Sequence, residues 1–594
     1  MDTRDHPPID WEEILRGAGK KAGVEDPRTN PEFIGLGNRL AEMGKKSLIV
    51  LAIVLVLVGL FCYWWFHPAI NIHNADCWFF VGLFILLPLF LVCTTLWKRN
   101  ENGTKKHDPN PGKAKVFKML AAVPVIIALI GVLGAVASLS LFPGNAERYA
   151  TILETTEGDF SQDIEEVDYN TIPFIDRDSA VLLGNRTMGT MADFVSQFEI
   201  SPLYSQINYQ GKPVRVSPLN YADIFKWWAN QEEGIPAYVI VDMNTQDTDI
   251  VRLENKIHYS DSDPLFKNVD RHVQLSYPTY MFDEKSFEID EDGVPYWIYP
   301  VQDYTIGLFG GTTIQRVVLC NASTGECVDY AIDEVPQWVD RAYPTDLLIR
   351  QYNWSGALSD GWINSWLGQN GVKQTTPGTN GTLGYNYIAQ DDDVWVYSGV
   401  TSATSDNSII GFVLINQRTA ESHFYAVAGA TEESAMQSAE GQVQNLRYVS
   451  TFPLLINVSG QPTYFMALKD GAGLVKMYAM IDVQRYQNVA TGSTLSEVQK
   501  SYENLLRTNG VSTNSGGEST QGGKDAGSTT GTITSIHPVV IDGNTHYYFL
   551  IDTDNVIYDC LITSLPDAIR YNVGDTITFN HGGGTAMVSV NSLG

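Results

Sequence analysis

Cysteine is scarce in this chain, at six in 594 residues, which excludes a disulfide-dense scaffold. Positive charge is scarce as well. Lys and Arg number 39 against 68 Asp and Glu, a net charge of −29. A duplex nucleic-acid binder needs cations to neutralise phosphates, so that class is set aside and no nucleic-acid partner is expected. Several catalytic signatures are missing: no HExxH helix, no paired CxxC, no G-x-S-x-G elbow and no Walker loop. Gly112-Lys113 runs into Ala114 without the upstream glycine a phosphate cradle needs. Apolar residues are not scarce. At 44%, with 11% aromatics, they exclude a wholly disordered chain. The length allows about three to five folding units.

Charge is absent altogether from three stretches, 47–66, 77–97 and 119–142. Each is about 20 residues or more, the length that crosses a hydrocarbon core. Trp64, Trp65, Trp78 and Trp97 sit near the ends of their runs, where amphipathic rings favour the headgroup layer. The short segment after the first run has no Lys or Arg. Segment 98–118 carries Lys98, Arg99, Lys105, Lys106, Lys113, Lys115 and Lys118. The positive-inside rule then places the N-terminus and this basic loop in the cytoplasm, and everything after the third run outside. The acidity belongs to that outer part, where residues 143–594 carry a net −32. His67 and His73 flank the short outer loop, either as headgroup-level side chains or as metal ligands.

Self-comparison of the outer chain shows repeats. Three apolar strands run into one turn pattern, with Asp242/Thr245, Asn321/Thr324 and Asn416/Thr419 in matching positions. An Asx residue opening such a turn bonds its own backbone, and Gly325 offers the left-handed conformation. Upstream strands recur at 287–297, 387–395 and 455–465. The helical stretches after Thr431 and Thr494 also match, Thr494 with Glu497 forming a capping box. The pair V-D-R and Y-P-T occurs at Val269–Arg271 with Tyr277–Thr279, and again at Val339–Arg341 with Tyr343–Thr345. Residues 509–531 are rich in Gly, Ser and Thr and read as a flexible linker. Residues 532–594 alternate as five short strands with a helix near Pro566.

The strand-turn-strand ending Thr324-Gly325-Glu326, accompanied by a helix, resembles the PepSY family of extracytoplasmic modules. Thr245-Gln246-Asp247 and Thr419-Ala420-Glu421 depart from that pattern. The outer chain is also similar to uncharacterised bacterial multi-pass membrane proteins, around P-Y-W at Pro295 and P-Q-W-V-D-R at Pro336. The last five strands, with V-G-D-T-I-T-F from Val573, resemble an OB-fold barrel. These resemblances imply binding or inhibition at a cell surface rather than catalysis.

The expected fold is therefore membrane-anchored α+β, with three N-terminal transmembrane helices, PepSY-like α+β repeats and a small C-terminal OB-like β-barrel. Its parts would be a cytoplasmic arm (1–46), the three helices (47–66, 77–97, 119–142) with the basic loop 98–118, and a lead-in α+β region (143–235). A β-rich repeat region (236–508), the linker (509–531) and the barrel (532–594) would follow. Cys320 and Cys327 flank the second turn and would face one another, either as a disulfide or as reduced core thiols. Acidic turns at Asp290–Asp292, Asp391–Asp393 and Asp242–Asp249 could hold calcium, the one cofactor the residue types suggest, but default to solvated hairpins. Trp297, Trp338 and Trp395 are candidate surface-binding aromatics, against a default of core packing. An apolar set in the arm (Ile9, Trp11, Ile14, Leu15, Phe33, Ile34, Leu36, Leu40) could dock a cytoplasmic partner. The expected role is a non-catalytic envelope scaffold or binding protein, touching the membrane and a cell-wall or envelope protein. A sensor relaying an outer event to a cytoplasmic partner is the alternative, and a carboxylate-based envelope hydrolase is third.

Overall fold

The computed structural model describes residues 45–103, 108–169, 172–378, 383–390, 392–402, 408–509, 511, 527–541, 544–562, 565–581 and 587–593. The apolar set of the N-terminal arm, Lys105, Lys106 and Asp391 lie outside the described residues. Two compact units are present, Met1–Leu505 and Leu506–Gly594.

Near the N-terminus the apolar runs form helices α1 (Lys45–Phe66), α2 (Ala75–Asn102) and α3 (Pro111–Ala137). Among the described residues, two of these are long and apolar enough to cross a membrane, α2 and α3, not the three expected. The described apolar part of α1, Val56–Phe66, is too short to cross alone. The hydrophobic windows of α2 and α3 are almost wholly unburied by protein, as lipid-facing helices are. A π-helical turn occupies Gly82–Leu86 within α2. Small residues let the helices approach: a Cβ added to Gly131 would lie 3.1 Å from the Trp78 ring, the close packing that apolar helices use in place of a hydrophobic driving force.

The first unit beyond α3 contains a four-fold repeat, one copy more than the turn pattern in the sequence revealed. Each copy is a helix followed by five strands. Repeat one has α5 (Arg177–Met188), β1 (Phe198–Ile200), β2 (Ser205–Tyr209), β3 (Lys212–Tyr221), β4 (Ile235–Asp242) and β5 (Thr248–Ile257), with α6 (Ile224–Asn230) inserted. Repeat two has α7 (Val269–Ser276), β6 (Met281–Phe282), β7 (Ser286–Ile289), β8 (Pro295–Ile306), β9 (Gly310–Asn321) and β10 (Cys327–Ala331). Repeat three has α8 (Thr345–Leu358), β11 (Lys373–Thr375), β12 (Asn386–Gln390), β13 (Asp393–Ser402), β14 (Gly411–Asn416) and β15 (Ser422–Tyr425). Repeat four has α9 (Glu432–Gln442), β16 (Val449–Ser450), β17 (Leu454–Val458), β18 (Gln461–Lys469), β19 (Val475–Asp482) and β20 (Val489–Gly492).

In every copy the first two strands share one edge of the third, and the fourth and fifth continue the antiparallel sheet. The turn after the fourth strand is the same device each time. Asp242, Asn321, Asn416 and Asp482 each accept two backbone N–H groups, two and three residues on, at 2.8–3.3 Å. The next residue then bonds back to the start of the third strand: Met243 to Pro213, Ala322 to Pro295, Gln417 to Val394 and Val483 to Pro462. The turn of the fourth copy escaped the sequence comparison because it reads D-V-Q-R, without the Thr, although its helix after Thr431 and its strands at 455–465 were matched. The paired V-D-R motifs are not equivalent. The first lies in α7 and the second in the irregular segment before α8.

Repeat one begins near residue 176, inside the expected lead-in region, so the boundary at 235 moves upstream. Helix starts follow capping chemistry: Asp176, Asn268 and Thr431 each accept an N–H from the first turn, as short polar side chains do at the N-cap. Central strands are buried on both faces, as in β14, where all six residues are buried. One core cluster joins repeats two and three, bringing together Leu347, Leu348 and Tyr352 of α8, Val317 and Leu319 of β9, and Val413 and Ile415 of β14.

The second unit contains β21 (Gly527–Ile541), β22 (Asn544–Ile551), β23 (Ile557–Leu561), β24 (Thr576–His581) and β25 (Met587–Leu593). Their pairings run β21-β22-β23-β25-β24 and return to β21, around Phe549, Tyr558 and Phe579. The first strand starts at 527, inside the expected linker. Thr-rich alternation carries Gly527–Thr532 into register with β24, which overrides the linker-like composition.

Candidate functional site

Three consecutive residues of α7 reach three different surroundings. Asp270 enters a polar pocket, Arg271 meets the end of α1, and His272 meets a pair of thiols.

The thiol cluster follows from the hairpin β9–β10. Cys320 stands opposite Cys327 in register, and the neighbouring Asn321 N–H donates to Glu326 at 2.9 Å. Cross-strand Cα atoms at such positions lie about 4.5–5.5 Å apart, within the range a disulfide accepts. Both thiols are free here. The turn brings Gly325 (φ 76°) so close to Tyr259 that a Cβ would sit 2.3 Å from its ring; only glycine serves there. The Gly325 carbonyl lies 2.7 Å from His272 Nε2, and the Tyr259 ring packs 4.4 Å from the imidazole. Trp297 donates Nε1–H to the Tyr259 carbonyl at 2.8 Å. One ligand atom each from His272, Cys320 and Cys327 falls within 4.8 Å of the others.

The electrostatics of this cluster are asymmetric. A hydrogen bond from Cys320 lowers the Cys327 pKa, and His272 lowers it further. The same thiol pair, with burial, pushes Cys320 up. His272 is raised, chiefly by its bond to Cys327. The arrangement can therefore hold one thiolate beside an imidazolium, close to a disulfide on oxidation, or offer a soft two-sulfur, one-nitrogen donor set to a cation.

The pocket on the other side of α7, about 370 Å³, is lined by His67, Asp261, Asp270, Lys285 and Tyr299. Lys285 Nζ lies 2.7 Å from both Asp261 and Asp270, and the Tyr299 hydroxyl donates to Asp270 at 2.7 Å. Burial opposes the Lys285 charge, but the two carboxylates outweigh it and hold its pKa up.

Repeat two is bonded to the ends of the apolar helices. The β8–β9 turn donates Leu308 and Phe309 N–H to Ser138 Oγ, at 2.7 and 2.9 Å, just beyond α3. His73 Nδ1 lies 2.7 Å from the Leu308 carbonyl. Leu308 packs so tightly on Gly134 that a Cβ there would be 2.7 Å from it. Ile70 N–H donates to Pro278 at 2.7 Å, and Asn71 Nδ2 to Thr279 at 3.1 Å. Arg271 donates to the Trp64 carbonyl at 3.0 Å, with its guanidinium 4.1 Å from the Trp64 ring. Helix α4 (Asn145–Ala150) sends the Tyr149 hydroxyl back to the Ser138 carbonyl at 2.7 Å. His73 thus serves as a docking bond here.

Repeats one, two and three meet at a buried polar joint. Glu288, fully buried, accepts from the Ser286 hydroxyl (2.7 Å), Asp340 N–H (2.9 Å) and Arg341 N–H (3.2 Å). Asp340 accepts Asn208 N–H at 2.6 Å through Oδ2, while Oδ1 has no partner among the described residues. Burial and the neighbouring Glu288 hold Asp340 well above the usual carboxylate range. Asp393 is clamped by Arg418 through two bonds of 2.7 Å.

The other sequence-selected residues have structural places. Asp242, Asn321 and Asn416 open their turns, and Thr245, Thr324 and Thr419 close them with Oγ accepting from the N–H two residues on. Asp290 uses Oδ1 on Asp292 and Val294 N–H, which closes its turn. Trp297 and Trp395 are buried and present no face to a ligand. Trp338 is half-buried and packs on Tyr296. Sequence reasoning noted Asp340 only within a V-D-R motif, and it missed His272, Ser138 and the Leu308-Phe309 turn. Only the last left a signal: two large apolar residues between glycines, where a solvated turn would be polar.

No protein-family model matches the chain, and no curated protein does. The expected resemblance to PepSY modules and OB-folds, and the assignment to a multi-pass family, therefore find no support and are withdrawn. One solved structure aligned with the chain is that of cobalt-substituted Synechocystis ACO, at 7% identity, over 48% of this chain and 47% of that one. Its TM-score is 0.12, too low to bear on the fold.

Proposed function

We propose that this protein is a non-catalytic, membrane-anchored scaffold or binding protein of the cell envelope. The observation that carries the reading is the bonded junction between repeat two and the helix ends: Ser138, His73, Asn71 and Trp64 each take a hydrogen bond from, or give one to, its loops or helix. Such a junction suits a platform that holds four α+β repeats at a set position against a bilayer. The basic segment between α2 and α3 favours the cytoplasm, which leaves the repeats extracytoplasmic. A cell-wall or envelope protein is the expected partner of the outer surface. Chemical crosslinking of intact cells, followed by purification and identification of what is captured, tests this. Envelope proteins or wall fragments are the expected yield. Recovery of cytoplasmic signalling enzymes alone would contradict it.

A relay role is the second reading, favoured by α7. A change at the thiols reaches the end of α1 through two adjacent residues, His272 and Arg271.

A further inference from the structure

Two exposed apolar feet flank the helix ends. Within residues 150–505, Phe225, Trp228, Phe266, Ile363, Trp366 and Leu367 are 64–79% exposed. No other large apolar side chain described in that range exceeds 58%. These six are far apart in sequence yet fall into two groups, each continuous with the apolar helices. The first is α6 with the loop beside it. Trp227 of α6 is buried and donates Nε1–H to Asp263 at 2.7 Å, which turns Phe225 and Trp228 outward. Phe266 of that loop lies 5.9 Å from the Trp64 ring, at the end of α1. The second follows α8. Trp366 stacks on Trp362 at 6.0 Å, and Trp362 packs with Trp354 on Tyr149 of α4. Asn145 ties α4 to the end of α3 through Ala137 and Leu139, at 2.8 and 2.9 Å.

From this placement we infer that the outer repeats rest on the bilayer itself, with α6–Phe266 and Ile363–Leu367 inserted at the interfacial layer of the outer leaflet. This rests on α2 and α3 lying in a membrane. Exposed apolar side chains grouped into patches mark partner or membrane contacts, and Trp and Phe beside a helix end suit the headgroup boundary. The occupant is lipid rather than a protein groove because both feet continue surfaces that already belong to the apolar helices. With the outer region at −32, anionic headgroups would repel it, so attachment is apolar and should persist at high salt and on zwitterionic lipid.

The test uses the full chain in phosphatidylcholine nanodiscs, with a fluorescent non-natural residue replacing Trp228, Trp366, Val449 or Leu133 one at a time. All four positions are exposed, so folding should survive. Quenching by shallow nitroxide-labelled lipid is compared with quenching by an aqueous agent. At positions 228 and 366 the shallow lipid should quench at least threefold more than at 449, in low and high salt alike. Equal quenching at 228, 366 and 449 would overturn the inference. Shielding from both quenchers would also overturn it, because a second copy or a protein then covers the feet. Position 133, inside α3, separates the two readings: if deep-labelled lipid fails to quench it, the membrane placement itself is wrong.

Discussion

Replacing Asp340 by Asn should make the protein more stable at neutral pH, although it alters a buried, hydrogen-bonded site. Asp340 is 1% exposed and receives one hydrogen bond, from Asn208 N–H, which an amide oxygen can accept equally well. Its second oxygen has no partner among the described residues. Glu288, also buried, has three donors, so of the two carboxylates Asp340 is the one that keeps its proton. Burial, then Glu288, raises the native pKa well above that of the unfolded chain. Between those two values the native state binds the extra proton, so stability falls as pH rises. Below both, Asp340 is protonated in either state and the substitution should be neutral. Above both, the variant avoids a buried, half-satisfied carboxylate, which costs about 1–3 kcal/mol. In a region of this size each kcal/mol moves a melting point by about 2–4 °C. Thermal melts of detergent-solubilised wild type and Asp340→Asn, read by tryptophan fluorescence from pH 3.5 to 8.5, should coincide at the acid end and diverge upward for the variant. A variant that melts lower at pH 8 than wild type would show that Asp340 is charged and well satisfied, and the reasoning would fail.

Gly134→Val should push Leu308 out of its seat and loosen repeat two from α3, costing about 1–3 kcal/mol as overpacking does; proteolysis of the β8–β9 turn would rise while a Leu308→Ala second change restores protection. Asn321→Ala should destabilise by about 1–2 kcal/mol, since two backbone N–H groups lose their acceptor. The same change at Asp242, Asn416 or Asp482 should cost a similar amount, and a spread of several kcal/mol in chemical denaturation would deny that the four turns are equivalent. Cys327 should alkylate faster than Cys320 and with a midpoint below that of an ordinary thiol, because Cys320 and His272 both favour its thiolate. His272→Ala should move that midpoint upward, measured by mass spectrometry of labelled peptides across pH.

The repeats were half legible in the chain. Turns that pair an Asx residue with a following Thr announce themselves because side chain and backbone act within four residues. Asp482 does the same work in a turn without Thr, so a pattern built on both residues passes over it. The apolar helices were legible in position, but α1 has too short a described apolar stretch to stand with the other two. The thiol pair was legible because its partners are neighbours across one hairpin. His272 was not, since it arrives from a helix some fifty positions earlier and only tertiary packing brings it to Gly325. The buried Glu288–Asp340 joint was hidden for the same reason: in a chain this acidic, two further carboxylates carry no mark of burial. The aromatics were not sorted by the sequence pattern, which did not single out Phe225, Trp228 or Trp366. Trp297 and Trp395 are core residues, whereas Phe225, Trp228 and Trp366 reach solvent.

The central claim is that repeat two is held on the helix ends. Asn71 and Thr279 meet at 3.1 Å across that junction, so the doubly substituted Asn71→Cys/Thr279→Cys chain, treated in native membranes with a short thiol-to-thiol crosslinker, measures it directly. Nearly complete crosslinking within one chain, absent from either single variant, is the predicted result. No crosslink in the double variant, with both thiols still open to a small alkylating reagent, would show that the repeats stand free of the helices and would contradict the account.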